Sequence, residues 1–242
     1  MPDELAARLA AVREKVGAAA RRAGRDAAAI GIVAVTKTLP PAAVREALSA
    51  GLVDIGENYV QEARAKRDAL GAGGTWHLIG GLQRNKARVA VATFDHVQTV
   101  DSSAVARALA EEAARAGRRL PVSLQVNAAA DPRKRGLSPD DAPALAEAVL
   151  GLPELRLDGL MTIGPQGPAE QTRSCFRLLR ELRDDLGKRL GVELPHLSMG
   201  MSNDFAVAVE EGATFVRLGR VLFGARGANL RSPGSAAEGE GS

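Results

Sequence analysis

The 242 residues contain one cysteine, one tryptophan and one tyrosine, and aromatic residues make up only 3% of the chain. Cys175 has no second cysteine to pair with, so an intramolecular disulfide is excluded and a reducing cytoplasm is the expected setting. The shortage of aromatics leaves little for stacking on nucleic-acid bases. An excess of one charge is also missing: 32 Lys and Arg against 29 Asp and Glu leave a net +3, with both signs interleaved. That is the pattern of a solvated surface rather than of a nucleic-acid footprint. No uncharged apolar run approaches the ~20 residues that a membrane span needs. Asp3, Glu4 and Arg8 stand where a secretory leader would be apolar. His77, His96 and His196 lie on separate segments without closely spaced partners, which argues against zinc.

What is present is a steady alternation of two periodicities. Leu5, Leu9, Val12 and Val16 repeat at helical spacing and predict an amphipathic helix over 3–22. Gly31-Ile32-Val33-Ala34-Val35-Thr36-Lys37-Thr38 reads as a strand buried on both faces, with Lys37 at its C-terminal end. Further strands are expected at 52–56, 76–79, 96–100, 122–126, 155–163, 196–199 and 214–218. Helices are expected between them, at 40–50, 58–70, 84–92, 102–116 with Asp101 as N-cap, 139–150, 172–190 and 203–211. Eight strands with intervening helices predict an α/β chain folded as a single (β/α)8 TIM barrel over residues 1–230, its extra N-terminal helix capping the bottom. The open doubly wound alternative would want a G-x-G-x-x-G turn after the first strand, and none is there. Arg231–Ser242, rich in Gly, Ser and Glu, reads as a disordered tail.

Chemistry in such barrels sits at the C-terminal strand ends. A lysine there can lose its charge by desolvation and act as a nucleophilic amine toward a carbonyl. Taken alone, Lys37 is more simply read as a side chain leaving the sheet for solvent. The other strand ends change that reading, because Glu57-Asn58, Gly80-Gly81, Asn127, Met161-Thr162, Ser198–Ser202 and Arg217–Arg220 converge on the same mouth. The loops after strands 7 and 8 are frequent phosphate sites. Gly200 and Gly219 let backbone N–H groups approach an anion, and Ser202 is placed to cap the following helix; Asp204 would repel an anion. A lysine at the first strand and a phosphate site at the last two together suggest pyridoxal 5′-phosphate (PLP), held at both ends.

Six motifs carry a family resemblance: V-x-K-T ending at Thr38, G-E-N-x-x-Q-E at 56–62, H-x-I-G-x-L-Q-x-N-K at 77–86, G-L-M-x-I at 159–163, L-S-M-G-M-S at 197–202 and V-R-L-G-x-x-x-F-G at 216–224. Together, and in this order, the sequence resembles the PLP homeostasis protein family, a single-domain barrel related to the N-terminal domain of alanine racemase. The resemblance implies that Lys37 carries PLP as a Schiff base, with Ser198, Met201, Ser202, Gly219 and Arg220 around the phosphate. It further implies Arg217 facing the pyridine nitrogen, Asn58 and Asn127 lining the mouth, and Met161 near the ring. The family commonly has Ser or Thr after the glycine, where this chain has Arg220.

The implied function is PLP binding in vitamin B6 homeostasis with no established reaction and no catalytic residue. The alternative is a weak PLP-dependent amino-acid racemase. An arginine at the pyridine nitrogen disfavours its protonation and weakens the ring as an electron sink. In alanine racemase the second base is a tyrosine from the partner's β-domain, whereas the one tyrosine here, Tyr59, follows strand 2. PLP-dependent apo-enzymes are the implied recipients, none identified by a motif, and a monomer is expected. Cys175 falls on an apolar helix face as a core residue. Arg133-Lys134-Arg135 reads first as a solvated loop and second, since it follows strand 5, as a segment near the mouth that steers PLP or meets an acidic partner; Asn85 and Lys86 read as helix-start residues.

Overall fold

The computed structural model describes residues 2–71 and 73–224. The tail expected at 231–242, and the end of the domain expected to run to 230, lie outside the described residues. The chain opens with helix α1 (Pro2–Arg22), followed by strand β1 (Gly31–Val35) and α2 (Pro41–Ser49). Then come β2 (Asp54–Glu57), α3 (Val60–Leu70), β3 (Thr75–Leu78), α4 (Ala87–Thr93) and β4 (His96–Val100). The middle is α5 (Ser103–Arg115), β5 (Leu120–Gln125), α6 (Ala142–Leu150) and β6 (Leu155–Met161). The chain closes with α7 (Arg173–Leu190), β7 (His196–Ser198), α8 (Phe205–Glu210), β8 (Phe215–Leu218) and α9 (Arg220–Phe223).

The strands form a closed barrel in sequence order. Every pairing is parallel, and β1 joins β8 with Val33 opposite Arg217 and β2 with Val33 opposite Asp54. Closure removes both sheet edges, so the backbone polar groups of the strands find partners without solvent. The outward strand residues Ala34, Ile55, Trp76, Leu78, Val97, Leu124, Leu160, Leu197 and Val216 are buried under the helical ring. Trp76, fully covered, keeps its indole N–H satisfied on the Gly73 carbonyl at 3.0 Å. Proline at N1 starts α2, and Gly51 at φ +82° ends it, as the sequence pattern predicts.

Three local expectations are corrected. The N-cap of α5 is Ser102, whose side chain accepts from the Val105 N–H, and not Asp101. β1 ends at Val35, so Lys37 stands on a turn beyond the strand, with Thr38 at φ +63°. α1 does not cap the barrel floor. It lies along the flank against α8 and α9, burying Leu5, Leu9, Val12 and Val16. The reason is the brevity of α8 and α9, which leaves that side of the barrel for the apolar stripe of α1 to cover. Arg22 to Glu210 at 2.6 Å and Arg25 to the Val209 carbonyl at 2.6 Å tie this packing together.

The inside of the barrel is unusually polar. Where such barrels carry layers of Val, Ile and Leu, this one buries His77, His96, Gln98, Ser123, Gln125, Ser198 and Arg217. The three histidines, apart in sequence, gather with Phe215 on the floor, ring centroids of His77–His96 and His96–His196 being 5.5 and 6.0 Å apart. Among the described residues no set of three or more His, Cys, Asp or Glu side chains is arranged to hold a metal.

Candidate functional site

A cavity of about 470 Å³ opens at the C-terminal end of the strands. Its wall includes Lys37, Asn58, Met201, Ser202, Arg217, Gly219 and Arg220. Seven of the ten residues picked from the sequence therefore meet in one place, although they come from β1, β2, β7 and β8 ends. The volume suits a small-molecule ligand, such sites spanning roughly 300–1,000 Å³.

Lys37 is placed by its neighbours in the chain. The turn from Thr36 to Leu39 is closed by a Leu39 N–H to Thr36 carbonyl bond of 3.0 Å. Behind it lies a buried ion cluster on the outer side of the barrel. The Lys66 ammonium donates to the Thr36 carbonyl (2.7 Å), to Glu57 (2.7 Å) and to Glu62 (2.6 Å). The Thr36 hydroxyl also donates to Glu57 at 2.6 Å, and the Thr38 N–H to Glu62 at 2.5 Å. Glu62 and Lys66 are one helical turn apart on α3, which lets both reach the same spot. The two residues flanking Lys37 are thus gripped from outside. Burial raises the Glu57 carboxyl, opposed by its bonds to Lys66 and Thr36.

Arg217 enters from β8 and is fully enclosed. Its guanidinium donates to the Ser198 hydroxyl at 2.8 Å and to the Thr162 carbonyl at 2.7 Å, both neutral. Among the described residues no carboxylate lies within ion-pair distance. Burial pulls its pKa down to about 10, with Asp204 pulling the other way, so it remains cationic at neutral pH. Asp204 itself accepts from the Met201 N–H at 2.6 Å, which engages one of the amides an anion would use; burial raises its carboxyl.

Two glycines shape the rim by necessity. Gly200 holds φ +89°, and a Cβ there would lie 2.5 Å from the Ala208 Cβ. At Gly80 a Cβ would come within 2.3 Å of the Asn58 carbonyl, so the loop after β3 passes Asn58 only without a side chain. The Ser202 hydroxyl accepts from the Val221 N–H at 3.3 Å instead of capping α8, and so joins the last two strand-end loops.

The other three sequence-derived residues lie outside the cavity wall. Ser198 is spent beneath Arg217, bonded to it and to Gln98. Met161 is fully buried at the end of β6. The Asn127 side chain folds onto its own loop, its amide donating to the Asp131 carbonyl at 2.9 Å. In their place come Ile79, Lys134, Asn203, Asp204 and the Ile163–Gly167 loop. The basic loop is divided: Arg133 is exposed, as expected of a solvated loop, while Lys134 joins the wall of the mouth. Lys134 donates to the Ile163 and Gly164 carbonyls, and Arg135 packs over Gly81, whose Cβ would meet it at 2.9 Å. Asn85 lines a separate open groove with Arg84 and Arg107. Cys175 is buried, its thiol pushed up by that burial, and is not on the cavity wall.

The wall carries Lys37, Lys134, Arg217 and Arg220 against Asp204, so the site is built for an anion. A parallel barrel with a lysine after its first strand and an enclosed arginine on its last defines a class of anion-binding barrel proteins. The comparisons place it more closely. The family described as alanine racemase, N-terminal domain, matches residues 7–227. A pyridoxal phosphate homeostasis protein of Pseudomonas aeruginosa is 48% identical over 225 residues, covering 92% of this chain and 96% of that one. The structure of PipY from Synechococcus elongatus PCC7942 with PLP bound is 39% identical with a TM-score of 0.80, over 91% of this chain and 100% of that one. An alanine racemase of Clostridium difficile 630, 14% identical with a TM-score of 0.73 over 94% of this chain and 58% of that one, shares the fold. The chain belongs to the alanine racemase N-terminal domain family and, within it, to the pyridoxal phosphate homeostasis proteins.

Proposed function

We propose that this protein binds PLP at the barrel mouth as a carrier, with Lys37 as the covalent anchor and no reaction of its own. The observation that carries the reading is the shared cavity: an amine-bearing residue and an enclosed guanidinium, without an ion pair among the described residues, face one space of about 470 Å³. The donor set fits the cofactor. Lys37 supplies the amine for the aldehyde carbon, and Arg220 with the Ser202–Gly219 loops would hold the phosphate. Arg217, which can only donate, would offer an N–H to the pyridine nitrogen. When bound, PLP supplies an electrophilic carbon and an electron-withdrawing ring. Arg217 opposes protonation of that ring and so restrains the withdrawal. Tyr59 is exposed on the rim at the start of α3, not turned over the cavity as an opposing base would be.

The carrier reading extends to a monomer that gives up PLP to PLP-dependent apo-enzymes, in the cytoplasm. The test is the visible spectrum of purified protein with added PLP, for wild type and Lys37→Ala, before and after borohydride. A band in the wild type that borohydride fixes onto the Lys37 peptide is expected. A protein that stays colourless refutes PLP binding. Lys37-dependent α-proton exchange on small amino acids would overturn the carrier in favour of a racemase.

A further inference from the structure

Arg217 is the upper end of a hydrogen-bonded chain that runs down the barrel axis. Its guanidinium donates to Ser198 Oγ (2.8 Å), and Ser198 Oγ donates to Gln98 Oε1 (2.6 Å). Gln98 Nε2 meets His77 Nδ1 at 3.0 Å, and His77 Nε2 meets Asp54 Oδ1 at 2.9 Å. Gln98, Ser198, His77 and Arg217 are all buried, while Asp54 opens at the floor at the start of β2. The chain therefore joins the floor to the mouth through five strands, β2, β3, β4, β7 and β8.

Its direction follows from its ends. A guanidinium has no acceptor, so Ser198 must accept from Arg217 and spend its single proton on Gln98. Gln98 then presents its carbonyl upward and its amide downward, and the amide needs a lone pair on His77 Nδ1. That leaves the His77 proton on Nε2, donated to a carboxylate that can only accept. Turning the Gln98 amide over would require a proton on both His77 nitrogens and would leave the Ser198 hydrogen without an acceptor. Both penalties fall in a dry interior, where an unmade bond is expensive. Asp54 on β2, His96 on β4 and Phe215 on β8 also meet the His77 ring, and among the described residues none of them makes a hydrogen bond to Nδ1.

We propose that Gln98, His77 and Asp54 are positioning residues for Arg217: a one-way relay that fixes His77 as the neutral Nε2–H tautomer and aims the remaining guanidinium N–H groups into the cavity. The inference rests on the reading of Arg217 as a cofactor contact, yet its first test is independent of cofactor. Long-range ¹H–¹⁵N NMR of the histidine rings in the PLP-free protein should show His77 with its proton on Nε2. Gln98→Glu, which cannot donate to Nδ1, should move a proton onto His77 Nδ1. Gln98→Leu should weaken PLP binding about tenfold and shift the pH dependence of the bound cofactor's visible band. Ser123→Ala removes a buried bond of the same interior, to His96 at 2.9 Å, but cuts no link of the relay, so it should leave both readouts at wild type. An Nδ1–H tautomer in the wild type overturns the relay. Wild-type binding and pH profile in Gln98→Leu overturn the positioning role, as does an equal effect from Ser123→Ala. Absence of PLP binding by the wild type itself, with the tautomer as expected, refutes the proposed function and not the relay.

Discussion

Lys66→Met tests whether the ion cluster behind Lys37 holds the turn that carries it. Lys66 and Glu57 side chains are 4% and 0% exposed, so the loss is that of one partner of a buried pair. Removing one partner from such a pair costs about 3–5 kcal/mol, mostly because the other charge is left uncompensated. Glu57 is already strained in this sense, since one of its carboxylate oxygens is buried without a partner. For a chain of this size the loss corresponds to a fall of about 10 °C in melting temperature. The effect should depend on pH with a definite sign. Burial raises Glu57 above 4.5 in the folded state, and removing the ammonium raises it further. The folded variant then holds a proton that the unfolded chain releases above 4.5, so its stability falls as pH rises from there through the folded pKa. Urea unfolding at pH 5 and pH 7 should show a deficit larger at pH 7, with an unchanged m-value. Adding Glu57→Gln should recover part of it, because a neutral pair needs no counter-charge. The Thr38 amide, bonded to Glu62, should also exchange faster in Lys66→Met. A deficit below about 1 kcal/mol, the range of surface pairs, or one larger at pH 5, would refute the reasoning.

Three further outcomes follow from the geometry. Burial, then the neighbouring His77 and His196, hold His96 well below its usual 6.5, so it is neutral when folded and protonated when unfolded in mild acid. Stability should be complete above pH 6.5 and decline below it by up to about 1.4 kcal/mol per unit; His96→Asn should flatten that slope between pH 6.5 and 5.5, and an unchanged slope would count against the floor cluster. Gly200→Ala combines φ +89° with a Cβ 2.5 Å from Ala208, and should lose about 2–4 kcal/mol in urea, whereas near-wild-type stability would mean α8 moves freely. Cys175, buried with its thiol pushed up, should react with a thiol reagent only along the unfolding transition; fast labelling of the native protein would contradict its burial.

The fold was readable because the two periodicities alternate cleanly and because barrel strand ends share a face. That rule brings Lys37, Asn58 and Arg217 to one mouth, while the family resemblance singled out Asn58 and Arg217 among the other strand-end residues. The rule says less about depth. Ser198 also ends a strand, yet it points along the axis beneath Arg217, and a register shift between Val122 and Ser123 slides β5 against β6, so counting from the ends does not tell which side chains reach the cavity. Lys134 was placed no more closely than on a loop near the mouth, and the Ile163–Gly167 loop was not picked as wall, because loop conformation leaves no periodic trace. The gathering of His77, His96 and His196 was hidden for a related reason: separation in sequence says nothing about sharing a layer inside a closed barrel. The placement of α1 depended on the shortness of α8 and α9, a property of the other end of the chain.

The polar interior links these features into one argument. A cation whose hydrogen-bond partners among the described residues are a hydroxyl and a carbonyl is costly to bury, and aliphatic layers would have been the cheaper filling. The arrangement makes sense where the missing partner is a ligand group that arrives from the cavity. Every bond below Arg217 consumes an acceptor, and none returns one, so the relay holds the guanidinium as a donor and gives it no route to take up or release a proton. A site that meets the ring nitrogen with such a group holds a cofactor firmly while denying it the protonated ring that carbanion chemistry favours. Under the proposed function, then, binding strength and chemical reticence have the same structural origin.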